Sequence, residues 1–421
     1  MPRFRAPGRI EGEYVPPPSK SYTHRALVAS ALADGESVVE NVLISDDTLA
    51  TLRALVSLGV RAVRRRDRVL VHPSRLLPPR DVVDCRESGT TIRFLASVAS
   101  LTEGGYTVLT GGRRLRERPM GPLLEALRQL GVWAESSRGN GTPPIIVRGG
   151  GMRGGSAELW AAESSQYASS ILLSAPRSRD GVELRVREMV SRPYVDATLA
   201  VMAAFGARFR RSGYELFSVE PSGYRAARFR VPGDYSSAAY FMALAAAVGG
   251  SLRVRGLGSL PQADGAIVDV LREMGASVSQ VGEDVVVSSD GSLRGGRFNL
   301  RDSPDLLPVV VVLGLLASGR TRVEGIAHTR LKESDRPSAL AEEIRRLGGR
   351  VELGDDWIEV VGPLSPVDVE VRDHGDHRIF MAFAILSAAL GGSFALAPSR
   401  SYFKSYPGFL DDLRSVGVAI S

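Results

Sequence analysis

Apolar and polar positions along this chain follow two alternating periods. One junction between them recurs six times: an apolar helical pattern ends on a glycine, and a strand pattern of alternating positions begins at once. The junctions read SLGVRAV (57–63), QLGVWAE (129–135), AFGARFR (204–210), EMGASVS (273–279), RLGGRVE (346–352) and SVGVAI (415–420). Their glycines, Gly59, Gly131, Gly206, Gly275, Gly348 and Gly417, lie 69 to 75 residues apart. Glycine takes the left-handed conformation that closes a helix without a side-chain clash, so each marks a helix C-cap. A second phrase falls between them: helix end, glycine, polar residue, alternating strand. Examples are ADGESVVEN (33–41), VGGSLRVRG (248–256) and LGGSFALA (390–397). Each unit therefore predicts strand–helix–strand–helix order and an α/β class. A solenoid is one way to stack such repeats, but the unit is about twice as long as common helical repeats. We prefer closed groups of units, each group forming one domain. The pattern alone leaves open whether the grouping is three plus three.

Composition narrows the class. The 421 residues suggest two or three domains at roughly 150 residues each. With 44% apolar and 24% charged residues, usage is that of a globular chain. The longest apolar stretches, Leu306–Ala317 and Ala238–Val248, fall short of the ~20 residues that span a bilayer. The start, MPRFRAPGRIEG, has no apolar core of a secretory signal. A single cysteine, Cys85, excludes a disulfide framework and a Cys-rich zinc site, and a cytoplasmic location is expected. Net charge is +6, modest for nucleic-acid binding. Only three of the 53 basic residues are lysines: Lys20, Lys332 and Lys404. A compact ammonium and a planar guanidinium are not interchangeable in a tight anion site, so the surviving lysines point to chemistry.

Eight segments carry that chemistry. In PPPSKSYTHR (16–25), prolines end a strand, Ser19 or Ser21 caps the next helix, and Lys20 and Arg25 flank a helix N-terminus that favours an anion. A solvated, capped helix start would use the same residues. In ESGTTIR (87–93), Gly89 allows close backbone approach to a ligand and Thr90 offers a hydroxyl, while Arg93 is a ligand contact or a partner of the loop. In GGRRLRERP (111–119), Arg118 is the functional candidate among exposed arginines because it abuts the proline taken to start a helix. Ser164, Ser165 and Gln166, then Ser191 and Tyr194, precede two further helices and offer neutral donors, although capping would also explain them. Asp305 stands at the mouth of a very apolar helix, as an N-cap or as a base. In LKESDRP (331–337), Ser334 or Asp335 caps a helix, and Lys332 and Glu333 form an acid–base pair beside Arg336. Asp376, His377 and Arg378 precede a helix apolar on all faces. Lys404 lies in a loop before the last helix. No metal-ligand spacing, Ser–His–Asp arrangement or Walker loop is present, and neither metal nor cofactor is expected.

Seven cations, Lys20, Arg25, Arg118, Lys332, Arg336, Arg378 and Lys404, thus fall on segments spread over the chain. Brought together they repel unless anions neutralise them. The implied ligands are small, with several phosphates or carboxylates, held in a cleft that closes on them.

These motifs in combination (SKSYTHR, SGTTIR, RERPMG, SSQ, SRPY, PDLLP, LKESDR, DHR and YFKSYPG) resemble the EPSP synthase family, the 3-phosphoshikimate 1-carboxyvinyltransferases, over the full chain. The resemblance implies a two-domain inside-out α/β barrel of six βαβαββ-type repeats, three per domain. Residues 1–19 and 233–421 would form domain I and residues 20–232 domain II, with the active site in the interdomain cleft. It implies transfer of the enolpyruvyl group of phosphoenolpyruvate to the 5-hydroxyl of shikimate 3-phosphate, releasing phosphate, a step toward chorismate and the aromatic amino acids. Carried over by position, Lys20, Ser21, Arg25, Ser164, Ser165, Gln166, Ser191, Asp305 and Lys332 would bind shikimate 3-phosphate. Lys20, Gly89, Arg118, Gln166, Arg336, Arg378 and Lys404 would bind phosphoenolpyruvate. Asp305 would accept a proton and Glu333 donate one, with Lys20, Lys332 and Lys404 also in the catalytic set. A monomer without nucleic-acid or membrane partners is expected, and the room beside Gly89 predicts inhibition by glyphosate.

Three positions depart from the family pattern. His328 stands where many relatives carry an asparagine, Arg192 where lysine is common, and Glu87-Ser88 where Asn-Ala or Asn-Ser is frequent. The nearest rival reading is the enolpyruvyl transferase acting on UDP-N-acetylglucosamine, which normally carries a reactive cysteine in the loop matching 111–119; none is there. An RNA-processing protein of related fold would need basic and aromatic residues along one surface, yet aromatics are 6% and the arginines are scattered.

Overall fold

A computed structural model describes residues 1–421. Twelve α-helices form: α1 Lys20–Ala31, α2 Asp46–Ser57, α3 Gly89–Ala99, α4 Gly121–Gln129, α5 Gln166–Ser174, α6 Pro193–Ala204, α7 Tyr235–Val248, α8 Ile267–Glu273, α9 Leu307–Leu316, α10 Arg336–Arg346, α11 His377–Ala389 and α12 Phe409–Ser415. The six junction glycines follow α2, α4, α6, α8, α10 and α12, and all six have positive φ, between 77° and 110°. The hydrophobic pattern places these helix ends because a left-handed residue is needed to turn the chain back into a strand.

The chain divides into two compact units. One comprises Met1–Pro17, Pro232–Ser259 and Ala263–Ser421; the other comprises Pro18–Val231 and Leu260–Gln262. Each contains three repeats of one plan. A first strand runs parallel to a second through a crossover helix, a second helix leads to an edge strand, and a hairpin returns to the sheet interior. In the second unit, Gly155–Trp160 pairs parallel with Val182–Arg187, which pairs antiparallel with Leu216–Val219, which in turn holds the edge strand Phe209–Ser212. The same order holds for Val83–Asp84, Tyr106–Thr110, Ile145–Arg148 and Ala134–Ser136.

Two repeats borrow their first strand from a distant part of the chain. Arg228–Arg230 pairs parallel with Ser37–Glu40, so the last strand of the second unit serves its first repeat. Ile10–Tyr14 pairs parallel with Gly250–Val254, so an N-terminal strand serves the repeat built on α7 and α8. The remaining repeat closes with Phe4–Arg5 paired to Ala419–Ile420 beside Glu370–Val371 paired to Ala395–Leu396. Its two halves are joined through the Leu396 N–H to the Pro2 carbonyl, 3.0 Å. The five four-stranded sheets and the two two-stranded ones stay separate. The repeats of each unit thus follow the two-domain α/β plan expected, without closing into a barrel, because each edge strand ends its own ladder.

Crossover helices lie innermost in each unit. In the first, α7, α9 and α11 pack on one another. Their sequences are apolar on every face (LPVVVVLGLL in α9), and nearly all their residues are buried. In the second, α1, α3 and α5 are equally buried but carry Thr23, His24, Arg25, Thr91, Arg93, Ser97, Ser169 and Ser170. Buried polar groups must find partners. Accordingly the Ser97 and Ser170 hydroxyls bond at 2.6 Å, and the Arg25 guanidinium donates to the Thr198 hydroxyl at 2.8 Å. Outer helices are amphipathic: α10 buries Ala339, Leu340 and Ile344 and exposes the opposite face.

Candidate active site

In the second unit, functional residues gather at the N-terminal ends of the inner helices. Ser19 is the N-cap of α1 but makes no side-chain cap bond, and Lys20 is the first helical residue. The Lys20 ammonium lies 3.1 Å from Asp47 at the start of α2, whose capping box is built by Ser45 and Thr48. The Asp47 carbonyl accepts from the Thr91 hydroxyl at 3.3 Å, which ties this end of α2 to α3. Ser88 caps α3 by accepting from the Thr91 N–H at 3.2 Å. Gly89 follows as the first residue of α3, directly against Arg118: a Cβ built on it would lie 2.7 Å from Arg118 Cζ and 3.0 Å from Nη2. No other residue type fits beside that guanidinium without displacing it.

Arg118 is 6% exposed, at the end of the short turn Leu115–Glu117. The helix beyond it begins at Gly121, with Pro122 rather than Pro119 in the first turn. Gln166, the first residue of α5, donates to the Thr90 hydroxyl at 3.0 Å and accepts from Arg93 at 2.9 Å; Ser164 accepts from Arg93 at 3.2 Å. Arg93 thus holds the loop in place, the alternative the sequence left open. Ser165 and Ser191 are buried, and Ser191 has φ +55°.

Arg25 is 2% exposed. Its guanidinium donates to the Thr198 hydroxyl at 2.8 Å, the Ser21 carbonyl at 2.8 Å, the Tyr194 carbonyl at 2.9 Å and the Ser169 hydroxyl at 3.5 Å. Every one of these acceptors is neutral. Burial pushes Arg25 down to about 10. A desolvated cation held by neutral dipoles is stabilised by an incoming anion.

The first unit gathers an acid–base cluster. Asp305 lies in the short turn Pro304–Leu306, so it is not the N-cap of α9. Its two oxygens accept from Arg336 at 2.8 Å and Arg378 at 2.6 Å. Arg336, 1% exposed, serves three carboxylates: Asp305, Asp376 at 2.8 Å and Glu333 at 3.0 Å. Burial would lower Arg336, but the three acids outweigh it and hold the guanidinium well above its usual range. The second Glu333 oxygen lies 3.1 Å from the Lys404 ammonium. Glu333 is therefore held by Arg336 and Lys404, where the sequence pointed to Lys332; the turn Ser401–Lys404 brings in a lysine that no local spacing reveals. Lys332 is half-buried at the end of the turn Ala327–Leu331. Asp335, not Ser334, caps α10, and Ser334 instead donates to Asp376. Asp376 caps α11, which starts with His377 and Arg378. His328 is buried, and desolvation with the nearby Lys332 and Arg301 pushes it down to about 3, so its ring is neutral. Cys85 is fully buried and its thiol is pushed far up by burial, which leaves no nucleophilic thiolate.

Sequence reasoning missed Asp47, the partner of Lys20, and Asp264. Asp47 sits in an ordinary capping sequence (SDDT), and only the packing of α2 against α1 brings it to the lysine.

Each unit thus sets buried guanidiniums and a half-buried ammonium beside carboxylates or neutral acceptors, in a six-repeat α/β fold. Solved structures similar to it include enolpyruvyl transferases. EPSP synthase of Acinetobacter baumannii matches with TM-score 0.82 and 26% identity, covering 100% of both chains. The enolpyruvyl transferase NikO of Streptomyces tendae matches with TM-score 0.78 and 18% identity, covering 100% of this chain and 98% of that one, a likeness of fold.

The family model for EPSP synthase (3-phosphoshikimate 1-carboxyvinyltransferase) matches residues 4–413, and the chain belongs to that family. Curated 3-phosphoshikimate 1-carboxyvinyltransferases are 46% identical in Methanothermobacter thermautotrophicus and 42% identical in Korarchaeum cryptofilum, each alignment covering 98% of both chains. The protein is an enzyme, and its reaction is the carboxyvinyl transfer of this family. No helix is long and apolar enough to cross a membrane.

Proposed function

We propose that the residues above perform the transfer from phosphoenolpyruvate to the 5-hydroxyl of shikimate 3-phosphate. Lys20, Ser21, Arg25, Ser164, Ser165, Gln166, Ser191, Asp305 and Lys332 hold shikimate 3-phosphate. Lys20, Gly89, Arg118, Gln166, Arg336, Arg378 and Lys404 hold phosphoenolpyruvate. The observation that carries this reading is the double clamp on Asp305: Arg336 and Arg378 both grip one carboxylate at 2.8 and 2.6 Å, which presets two guanidiniums beside the proton acceptor to meet a substrate anion.

In the reaction, Glu333, sharing its proton with Lys404, protonates the methylene carbon of phosphoenolpyruvate. Positive charge builds at the adjacent carbon, and the 5-hydroxyl oxygen bonds there while its proton passes to Asp305. The tetrahedral intermediate keeps its phosphate and carboxylate against the guanidiniums. Elimination reverses the first proton transfer: Glu333 takes a methyl proton, the C–O bond to phosphate breaks, and the Asp305 proton leaves with the phosphate. Cations fixed before the reaction stabilise this charge without rearranging.

The test is phosphate release from phosphoenolpyruvate, assayed with shikimate 3-phosphate and with UDP-N-acetylglucosamine. Release with the first alone is expected. Release only with the sugar nucleotide, or none with either, overturns the reading.

A further inference from the structure

Asp264 lies in the short turn Ala263–Ala266 and is 2% exposed. That turn is fastened to the one bearing Asp305, because the Ser303 hydroxyl donates to the Ala263 carbonyl at 2.6 Å. Ser236, in the first turn of α7, donates its hydroxyl to one Asp264 oxygen. The charged groups that act on Asp264 are Asp305, Arg378 and Asp234, the last being the N-cap of α7. Buried Asp264 and part-exposed Asp305 therefore lie in the field of the same guanidinium, Arg378.

This placement answers a difficulty in the chemistry. A carboxylate gripped by two guanidiniums is a weak base, since both stabilise its charged form. Taking a proton from an alcohol needs the opposite. We propose that Asp264 is a positioning residue for Asp305: it fixes the turn that aims Asp305 and supplies the negative field that restores the basicity the two arginines remove. The inference rests on the reading of Asp305 as proton acceptor. Coupling between two sites is reciprocal. Burial, and then the charge on Asp305, push Asp264 up to about 7, with Arg378 opposing. Asp264 must act on Asp305 in the same sense, most strongly as it ionises through neutral pH.

The test uses the full-length enzyme with Asp264→Asn, which keeps an acceptor for Ser236 and removes the charge, and Ser236→Ala, which keeps the charge and removes the bond. Expected for Asp264→Asn is a kcat about tenfold lower at pH 8, loss of the rise in kcat that the wild type shows between pH 6 and 8, and KM for both substrates within twofold. In ligand-free protein with 13C-labelled aspartate, the Asp264 carboxyl, assigned by its loss in Asp264→Asn, should titrate at lower pH in Asp305→Asn and at or above its wild-type position in Ser236→Ala, which keeps both charges. An Asp264 titration unshifted in Asp305→Asn, or equal kcat losses in Asp264→Asn and Ser236→Ala, overturns the proposal. If Asp305→Asn stays fully active while the titration shift is seen, the coupling stands and the assignment of Asp305 as proton acceptor is what fails.

Discussion

Replacing Gly89 by alanine perturbs the site by a single methyl. Gly89 opens α3 with ordinary helical backbone, so the fold accepts alanine there, and the lower entropy of the unfolded chain favours it by about 0.4–1 kcal/mol. The new Cβ would sit 2.7 Å from Arg118 Cζ. Carbon atoms rest about 3.5–4.0 Å apart, so the guanidinium must retreat by roughly 1 Å. Arg118 can do this because the clash is with the far end of a flexible side chain. A hydrogen bond of about 2.8 Å to a substrate anion, lengthened by that amount, is no longer a hydrogen bond. Hydrogen bonds to charged groups contribute about 1.5–3 kcal/mol, which corresponds to a KM for phosphoenolpyruvate raised roughly 10- to 100-fold. Steady-state kinetics with each substrate varied in turn should show this rise, a KM for shikimate 3-phosphate changed less than threefold, and a melting temperature equal to or slightly above wild type. Glyphosate, expected to inhibit the wild type at or below millimolar concentration, should lose potency in the same variant. An unchanged KM for phosphoenolpyruvate in a folded Gly89→Ala enzyme would refute the contact between Gly89, Arg118 and the substrate.

Three further outcomes follow from the buried charges. Arg336→Met leaves Asp305, Glu333 and Asp376 without their shared guanidinium and should cost about 3–5 kcal/mol at pH 7 by urea unfolding, less at pH 4 where carboxylates protonate; a loss below about 1 kcal/mol would contradict the clamp. His24 is buried, accepts or donates at Nδ1 to Thr51 at 2.7 Å, and is pushed well below its usual range by burial, then by Lys20 and Arg25. It stays neutral in the folded state while the unfolded chain takes up a proton near 6.5, so its contribution is intact above that pH and is lost as pH falls, at about 1.4 kcal/mol per pH unit. His24→Asn should flatten the stability curve between pH 6 and 5 by that slope; an unaltered slope would show that the ring is charged when folded. Lys332→Arg should fall at least tenfold in kcat/KM with an unchanged circular dichroism spectrum, since a planar fork cannot replace a compact ammonium; wild-type turnover would remove Lys332 from the reaction.

Local chemistry made much of this protein legible. The six helix-closing glycines, the apolar inner helices and the residues at helix starts (Lys20, Gly89, Gln166, Arg378) follow from short-range preferences: a left-handed cap, a 3.6-residue period, a free N–H that attracts an anion. None of these depends on distant sequence, so each could be read one segment at a time. The partners were another matter. Asp47 on Lys20, Lys404 on Glu333, and Arg336 among Asp305, Glu333 and Asp376 join residues 27, 71, 31, 3 and 40 positions apart. The borrowed strands Ile10–Tyr14 and Arg228–Arg230 are further cases, since a first strand with period-two alternation pairs equally well with any exposed ladder edge. Which carboxylate a buried guanidinium meets is decided by how helices pack, because desolvation makes an ion select the opposite charge that the tertiary structure delivers, whatever its distance along the chain.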